Sequence, residues 1–399
     1  MSEYPSEWRE CLLGEVVEKI TSGGTPKADN PDLYGGSIPF LKIDDITSSS
    51  KYLRSHKITI NERGLSESSA KIVPAGTLLL TMYGTIGRCC ITTYPAATNQ
   101  AIASFLGHPE IELEYLYYAL ESKADEFATA SSQTTQANIS AGILKQTPIA
   151  VPPLPEQKKI AEILSGIDTT IAAASKEKQH RDRLRRSAIK QLTRGASFTG
   201  QRKDSGTEFG MIPAHWECLL IPDCCAIENT KRKPIKKEER SKIRGIYPYH
   251  GATRIQDHIS EYAYEGDYVL IGEDGDHFSK YDEWEMAQYA TGRFNVSNHA
   301  HVIKGAHSCS NKWLYYSLLH RDLTYHLTRQ GATRFKLSKA SLECIHVIFP
   351  PPEEQAKMIR AFDSMTRSIS ILADRIIKLQ ALKTSLSTDL LSGRKRVSV

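Results

Sequence analysis

The stretch Val151-Pro152-Pro153-Leu154-Pro155-Glu156-Gln157 returns as Phe349-Pro350-Pro351-Pro352-Glu353-Glu354-Gln355, 198 residues further along a chain of 399. Carried on without a gap to Ala196 and Arg394, the same offset keeps 10 identities in 46 positions, so the two stretches are copies rather than look-alikes. Lys159/Lys357, Ile171/Ile369, Leu184/Leu382, Leu192/Leu390 and Gly195/Gly393 are among them. A duplicated sequence implies a duplicated unit, and a task with two similar halves.

Each copy opens with a helix start. Pro155 suits a first turn, where a missing N–H costs nothing, and Glu156 or Glu353-Glu354 suits the positive end of the helix dipole. In the second copy the heptad steps pick out Met358, Phe362, Met365, Ile369, Leu372, Ile376, Leu379, Lys383, Leu386 and Leu390, a coiled-coil seam interrupted only by Lys383. In the first copy they read Ile160, Leu164, Ile167, Ile171, Ala174, Lys178, Arg181, Arg185, Ala188 and Leu192, apolar at both ends and polar between. Gly195 and Gly393 are C-terminal stops. Pro155 to Thr193 would be roughly 58 Å long, too long for a lone helix in water, so the two copies are expected to pack on each other as an antiparallel coiled coil. The plainer alternative is two amphipathic helices lying on separate globular cores.

Between the helices the repetition is looser. Pro5-Ser6-Glu7-Trp8 with Cys11-Leu12-Leu13 is echoed by Pro213-Ala214-His215-Trp216 with Cys218-Leu219-Leu220. Short β-branched and aromatic runs such as Gly76 to Tyr83 and Asp267 to Ile271 are set off by Gly-rich turns, and helical patches run from Glu112 to Phe127 and from Ser310 to Leu327. The expected fold is α+β: two domains of mixed α/β structure alternating with two long helices, related by a pseudo-two-fold internal repeat. The expected boundaries are 1–150, 151–199, 200–348 and 349–399, with the polar stretch Gly200 to Gly206 as linker.

Hydrophobic residues make up 40% of the chain, enough for proper cores. No signal peptide precedes Met1-Ser2-Glu3-Tyr4 and no apolar run reaches the 18 or so residues of a membrane span, so no membrane partner and a cytoplasmic location are expected. Cys11, Cys89, Cys90, Cys218, Cys224, Cys225, Cys309 and Cys344 include no C-x-x-C, so they read as buried free thiols rather than metal ligands. Net charge is only +5, but Lys176 to Lys203 holds ten Lys/Arg against two acids, and Lys231 to Arg244 eight against two. Basic tracts of this kind suit a phosphate backbone, and a solvated helix face or loop is the bland reading of the same residues. Beside the second tract, Tyr247-Pro248-Tyr249-His250-Gly251-Ala252-Thr253 sets aromatic, donor and Gly positions in one loop, which favours nucleic acid.

Together these residues resemble the DNA specificity subunit of type I restriction-modification systems, over the whole chain. The resemblance rests on the two proline motifs entering long helices, on Ser22-Gly23-Gly24-Thr25-Pro26, and on Gly84-Thr85-Ile86-Gly87 followed by Asn99-Gln100. In the second half it rests on Tyr247 to Thr253, Ile271-Gly272-Glu273-Asp274-Gly275 and Asn298-His299. The second copy departs from the pattern at Pro352-Glu353, which bears only on where its helix starts. The resemblance implies a non-catalytic reader of a bipartite DNA site, each domain reading one half while the helical pair fixes the unread spacer. Its implied partners are double-stranded DNA, two methylation subunits that use S-adenosylmethionine on adenine N6, and two ATP-driven restriction subunits; no cofactor of its own is implied.

Two other classes are weighed on the residues. An adenine methyltransferase acting alone would need a glycine-rich cofactor loop and an Asn/Asp-Pro-Pro-aromatic motif, and Asn30-Pro31-Asp32-Leu33 fails at two positions. A DNA endonuclease could be built on Glu273, Asp274, Asp276 and Lys280 holding Mg²⁺, although acid-rich turns are usually just turns. No P-loop spacing occurs. A structural coiled-coil scaffold would leave two non-identical domains without a task. The expected DNA contacts are Lys42, Thr81, Tyr83, Thr85, Asn99, Gln100, Thr135 and Gln136 in the first half, at strand ends and Gly-rich turns that reach a groove. In the second half they are Lys231, Lys233, Tyr249, His250, Thr253, Asn298, His299, Arg334 and Lys336. Thr135/Thr333 and Ser140/Ser338 correspond under the 198-residue offset.

Overall fold

Both proline motifs open helices in the computed structural model of the chain, which describes residues 4–132, 138–306, 309–330 and 334–398. The first long helix is Leu154–Leu192 and the second Pro352–Leu391. Pro352 begins the second as well as Leu154-Pro155 begins the first, because no intrahelical acceptor waits for the missing N–H. Behind each start the repeated glutamine folds back on the prolines. Gln157 Nε2 donates to Pro152 O at 2.8 Å and Gln355 Nε2 to Pro350 O at 2.9 Å. The repeated glutamate accepts the indole N–H of the repeated tryptophan, Trp8 to Glu156 and Trp216 to Glu354, both at 3.0 Å. Beyond the helix ends Gly195 and Gly393 take φ of 62° and 72°, and a Cβ on them would stand 2.6 Å from the Pro213 ring and 2.5 Å from the Pro5 ring. Glycine is required twice over, for the left-handed turn and for the close approach.

The chain divides into two compact units, Met1–Ala174 with Arg375–Val399, and Ser175–Asp374. Each holds the front of one long helix and the back of the other. In the first unit a five-stranded sheet runs in the order Lys19–Ser22, Ile102–Leu106, Leu78–Thr81, Cys89–Thr92, Tyr52–Leu53. A four-stranded sheet runs Ile58–Ile60, Tyr34–Leu41, Ala96–Thr98, Lys71–Val73, and Arg9–Leu12 pairs with Pro148–Val151. In the second unit the sheets are Cys225–Ile227, Ala300–Gly305, Tyr268–Gly272, Ala287–Ala290 and Ile255–Ile259, Arg244–His250, Arg293–Val296, Tyr264–Glu265. Glu217–Leu220 pairs with His346–Phe349 there. In both units the middle pair of the second sheet is parallel, Phe40 beside Ala97 and Tyr249 beside Asn295. Leu78–Leu80 and Val269–Ile271 are buried along their whole length, as central strands covered on both faces are. The architecture is mixed α/β with two long helices packed onto it.

The packing explains the apolar ends of the helices. In the first unit Ile160 and Leu164 from the first helix and Leu390 from the second join Trp8, Leu13, Phe105 and Tyr115 in one core. In the second unit Ile189 and Phe362 join Phe278, Trp313 and Leu314. Along the second helix Leu372 is buried, while Met358, Ile369, Ile376, Leu379 and Leu386 are half-buried and Met365 is 36% exposed. Off that line Ile371 and Ile377 are 61% and 63% exposed, so one stripe is covered and its flanks are not. In the first helix Ile167, Ile171 and Leu192 are half-buried. Of the eight cysteines, Cys344 is exposed and Cys11 and Cys218 half-buried; the other five are buried, and none is in a disulfide.

The clasp at the start of the first helix makes a stability prediction. Glu156 accepts Trp8 Nε1 and, bidentately, Arg396 Nε at 2.7 Å and Nη2 at 2.9 Å. Glu156→Ala is expected to lower unfolding stability by about 1 to 3 kcal/mol, the cost of leaving the buried Trp8 N–H unpaired. A urea midpoint equal to that of the parent chain would show that the clasp holds nothing.

Candidate nucleic-acid interface

The central strand of each large sheet ends in a loop whose backbone is tied to two others. In the first unit Thr81 pairs with Ile102, Met82 N–H donates to Ala101 O at 2.8 Å, and Ile139 N–H to Met82 O at 3.0 Å. Tyr83 then forms an isolated antiparallel bridge with Asn138. The loop after Thr81 and the Asn99-Gln100 turn are thus brought together with Asn138, which follows residues 133–137. In the second unit Gly272 pairs with Ala300, Glu273 N–H donates to His299 O at 2.8 Å, and Leu337 N–H to Glu273 O at 2.8 Å. Asp274 bridges Lys336. Even the turn locks match: Asn99 Oδ1 accepts Ala101 N–H at 3.1 Å, and Ser297 Oγ accepts His299 N–H at 3.2 Å. Widely spaced stretches of sequence become one surface because tertiary strand pairing, not chain proximity, sets loop neighbours.

Within the first cluster Tyr83, Thr85 and Gln100 are exposed and Asn99 is half-buried. Gln100 Oε1 accepts Thr25 Oγ1 at 2.6 Å, which places the Ser22-Gly23-Gly24-Thr25 loop here as well. A Cβ on Gly23 would lie 1.7 Å from Thr98 O, so only glycine lets that loop pass the strand. Lys42 is half-buried ahead of the helix Ile43–Thr47, its N–H donating to Asp45 Oδ2 at 2.9 Å. Thr81 is fully buried; its Oγ1 accepts Arg88 N–H at 3.0 Å and donates to Thr85 O, closing the loop rather than facing out of it. Thr135 and Gln136 lie outside the described residues.

In the second cluster Lys231, Lys233, Asn298 and His299 are exposed, and Thr253 and Lys336 half-buried. Arg232, between the two lysines, buttresses the turn: its Nη1 donates to Glu273 at 2.7 Å, Ala300 O at 3.1 Å and Asn298 O at 3.3 Å. Lys336 adds an ion pair to Glu273 at 3.4 Å. Burial works to raise the Glu273 carboxyl, but the Arg232 hydrogen bond, the nearby His301 and Arg232 charges and the Lys336 hydrogen bond outweigh it and hold the carboxyl below its usual range. Tyr249 and His250 sit inside the fold. Tyr249 OH accepts Ile235 N–H at 3.0 Å and donates to Lys233 O at 2.9 Å, tethering the basic segment, and His250 Nδ1 meets Gln288 Oε1 at 3.0 Å. Burial pushes the His250, His277 and His301 imidazoles down. Arg334 lies in the short strand Arg334–Lys336, with its side chain outside the described part and residues 331–333 outside it entirely.

Two of the three acids that a nuclease would use are engaged. Glu273 is held by Arg232 and Lys336, and both Asp274 oxygens lie 3.0 Å from His299 Nδ1. Among the described residues no group of three or more His, Cys, Asp or Glu side chains could hold a metal ion, and no helix is long and apolar enough to cross a membrane. Thr25 and Arg232 join the two clusters without being among the expected contacts, although both stand in stretches the sequence marks out. Asp274 stands in the sequence both in the motif Ile271 to Gly275 that carries the resemblance and among the acids of the nuclease alternative, but not among the expected contacts.

The description "Type I restriction modification DNA specificity domain" fits residues 5–180 and 213–381, one match in each half of the chain. A type I restriction enzyme specificity subunit of Methanocaldococcus jannaschii is 24% identical over all of this chain and 95% of its own length. A putative subunit of the same kind from Haemophilus influenzae is 36% identical over 37% of this chain and 36% of its own. The crystal structure of the corresponding subunit from M. genitalium shares the fold, with a TM-score of 0.58 at 16% identity over 96% of both chains. The chain therefore belongs to the type I restriction-modification DNA specificity subunits.

Proposed function

We propose that each unit reads one half of a bipartite duplex site and that the two long helices pack antiparallel as a coiled coil setting the unread spacer. On this reading the domains run 1–150, 151–199, 200–348 and 349–399, the halves are related by a pseudo-two-fold, and the chain works in the cytoplasm. The chain is a DNA-recognition subunit and not an enzyme. Its partners on this reading are two methylation subunits, which bind S-adenosylmethionine and flip the target adenines into their own pockets, and ATP-driven restriction subunits. A solved structure whose subject is complex assembly of a type I restriction-modification system shares the fold over 99% of this chain, with a TM-score of 0.58 at 17% identity, which supports the fold on which such an assembly is built.

The observation that carries the reading is the recurrence of one loop cluster in both units, built on the same backbone hydrogen bonds and dressed with different side chains. A constant frame with variable tips is what reading two different half-sites requires. The basic segment beside the second cluster supplies the test. Lys231 and Lys233 are exposed, with Nζ 3.8 Å from Glu228 and 3.3 Å from Glu261, loose pairs that phosphates can displace. Changing both to Ala is expected to weaken binding to specific and random duplex alike and to flatten the salt dependence by about one unit of slope per lost contact. Titration of both duplexes at several salt concentrations checks it; an unchanged slope would take this face away from the DNA.

A further inference from the structure

Matched backbones let the two clusters be compared residue by residue. Met82 stands where Glu273 does, Tyr83 where Asp274 does, Ala101 where His299 does and Asn138 where Lys336 does, each assignment fixed by the same hydrogen bond or bridge. Gly84 and Gly275 follow with φ of 64° and 136°. The next shared mark is a capped serine, Ser140 Oγ accepting Ile143 N–H at 3.2 Å and Ser338 Oγ accepting Ser341 N–H at 3.0 Å.

In the second unit alone this frame carries a carboxylate against an imidazole. His299 Nδ1 lies 3.0 Å from both Asp274 oxygens, on a side chain 47% exposed. The first unit builds the same turn with Tyr83 and the buried Ala101. The fold therefore does not need the pair. Nor is Asp274 needed to balance local charge, since Glu273 already faces Arg232 and Lys336.

We propose that Asp274, oriented by His299, is the specificity-determining residue of the second unit and selects a cytosine in its half-site. This rests on the reading that the loop clusters face DNA. A carboxylate offers only acceptors, so it needs a base edge that offers a donor. In the major groove guanine presents N7 and O6 and thymine O4, all acceptors that repel it. Adenine presents its N6 amine between two acceptors, its own N7 and the thymine O4, whereas cytosine presents its N4 amine with an acceptor on one side only, the O6 of the paired guanine. Cytosine is therefore the base whose donor a carboxylate reaches with the fewest opposing lone pairs. Lys336, the bridge partner of Asp274, and Arg232 on the neighbouring Glu273 bring two positive charges against one at this turn and offset the repulsion between Asp274 and the phosphates.

The test is the methylated motif in cells that carry the cognate methylation subunits together with the parent chain, Asp274→Asn or His299→Gln. Asn offers a donor as well as an acceptor and suits adenine. Asp274→Asn is expected to relax one C·G position in one half-site, or to shift it towards A·T, with the other half and the spacer unchanged. His299→Gln, which removes the partner that orients Asp274, is expected to broaden the same position. With purified protein on duplexes varied at that position, the preference for cytosine is expected to fall about ten-fold in Asp274→Asn. Melting curves verify that each variant is folded, and where one is not, the other decides. A bipartite motif that stays identical in a folded variant overturns the proposal and leaves the two-reader account standing. So does a change confined to an A·T position of the parent motif. A parent motif that is not bipartite removes the two-reader account and the proposal with it.

Discussion

Deleting residues 375–399 is expected to unfold the first unit, more than two hundred residues away in sequence, while the second stays folded. The deleted segment completes the first unit's core. Leu390 is buried among Trp8, Ile160 and Leu164, and Leu386 and Val397 pack against the same cluster. Lys383 joins Glu121 and Asp168, each at 2.9 Å, and Tyr118 OH reaches the same Asp168 at 2.7 Å. Truncating one buried leucine costs about 2 to 5 kcal/mol, and a domain's whole margin is about 5 to 15 kcal/mol. Losing Leu390 together with its neighbours and the ion pairs should therefore exhaust the margin of the first unit. The second unit is closed by Phe362 and Ile189, which the deletion spares. Hydrogen exchange resolves the two: protection should be lost over residues 9–120 and kept over 211–305. Equal loss in both, or none in either, would show that the division into units is misplaced. Leu390→Asp, which buries a charge at the same site, should act in the same direction with every other residue in place.

Much of this arrangement is legible in the chain because its determinants are local. Proline followed by acidic residues and glutamine marks the helix start in both copies, and heptad spacing marks the stripe that separates covered Leu372 from exposed Ile371. The Pro-x-x-Trp echo shows that the two halves start alike, while the clasp it forms with Glu156 or Glu354, far along the chain, comes only with the fold. The tips of the readers are another matter. Thr81 looks like a surface hydroxyl at a strand end, yet it closes its own loop through Arg88 and Thr85. Tyr249 and His250 look like loop donors but are the buried end of a strand, tied to Lys233 and Gln288. Whether a polar side chain faces out of a cluster depends on which distant strand pairs beside it, and that is a tertiary fact without a local sequence mark. The same cause keeps Asp274, named in the sequence as a motif residue and a candidate acid, from standing out as a contact. Its significance comes from standing where Tyr83 stands, which the 198-residue offset misses: from 83 to 274 the displacement is shorter, because loops of different length separate the strands.

Four residues inserted after Lys176, with a matching four after Asp374, are expected to change the spacer and nothing else. The stretch 175–184 of the first helix lies between Ile160 and Leu164, which belong to one core, and Ala188 and Ile189, which belong to the other, so the insertion spares both. Four residues add one turn, about 6 Å of helix, and a coiled coil absorbs such a stutter by local unwinding. At about 3.4 Å per base pair that is a spacer longer by one or two base pairs. The most direct measurement is the map of methylated adenines in DNA from cells expressing the cognate methylation subunits with the parent chain and with the inserted one. The account predicts two short half-sites around an unread gap, identical in letters for both chains and separated by a longer gap for the inserted one. Altered half-site letters with an unaltered gap, or a single uninterrupted motif in the parent, would contradict it.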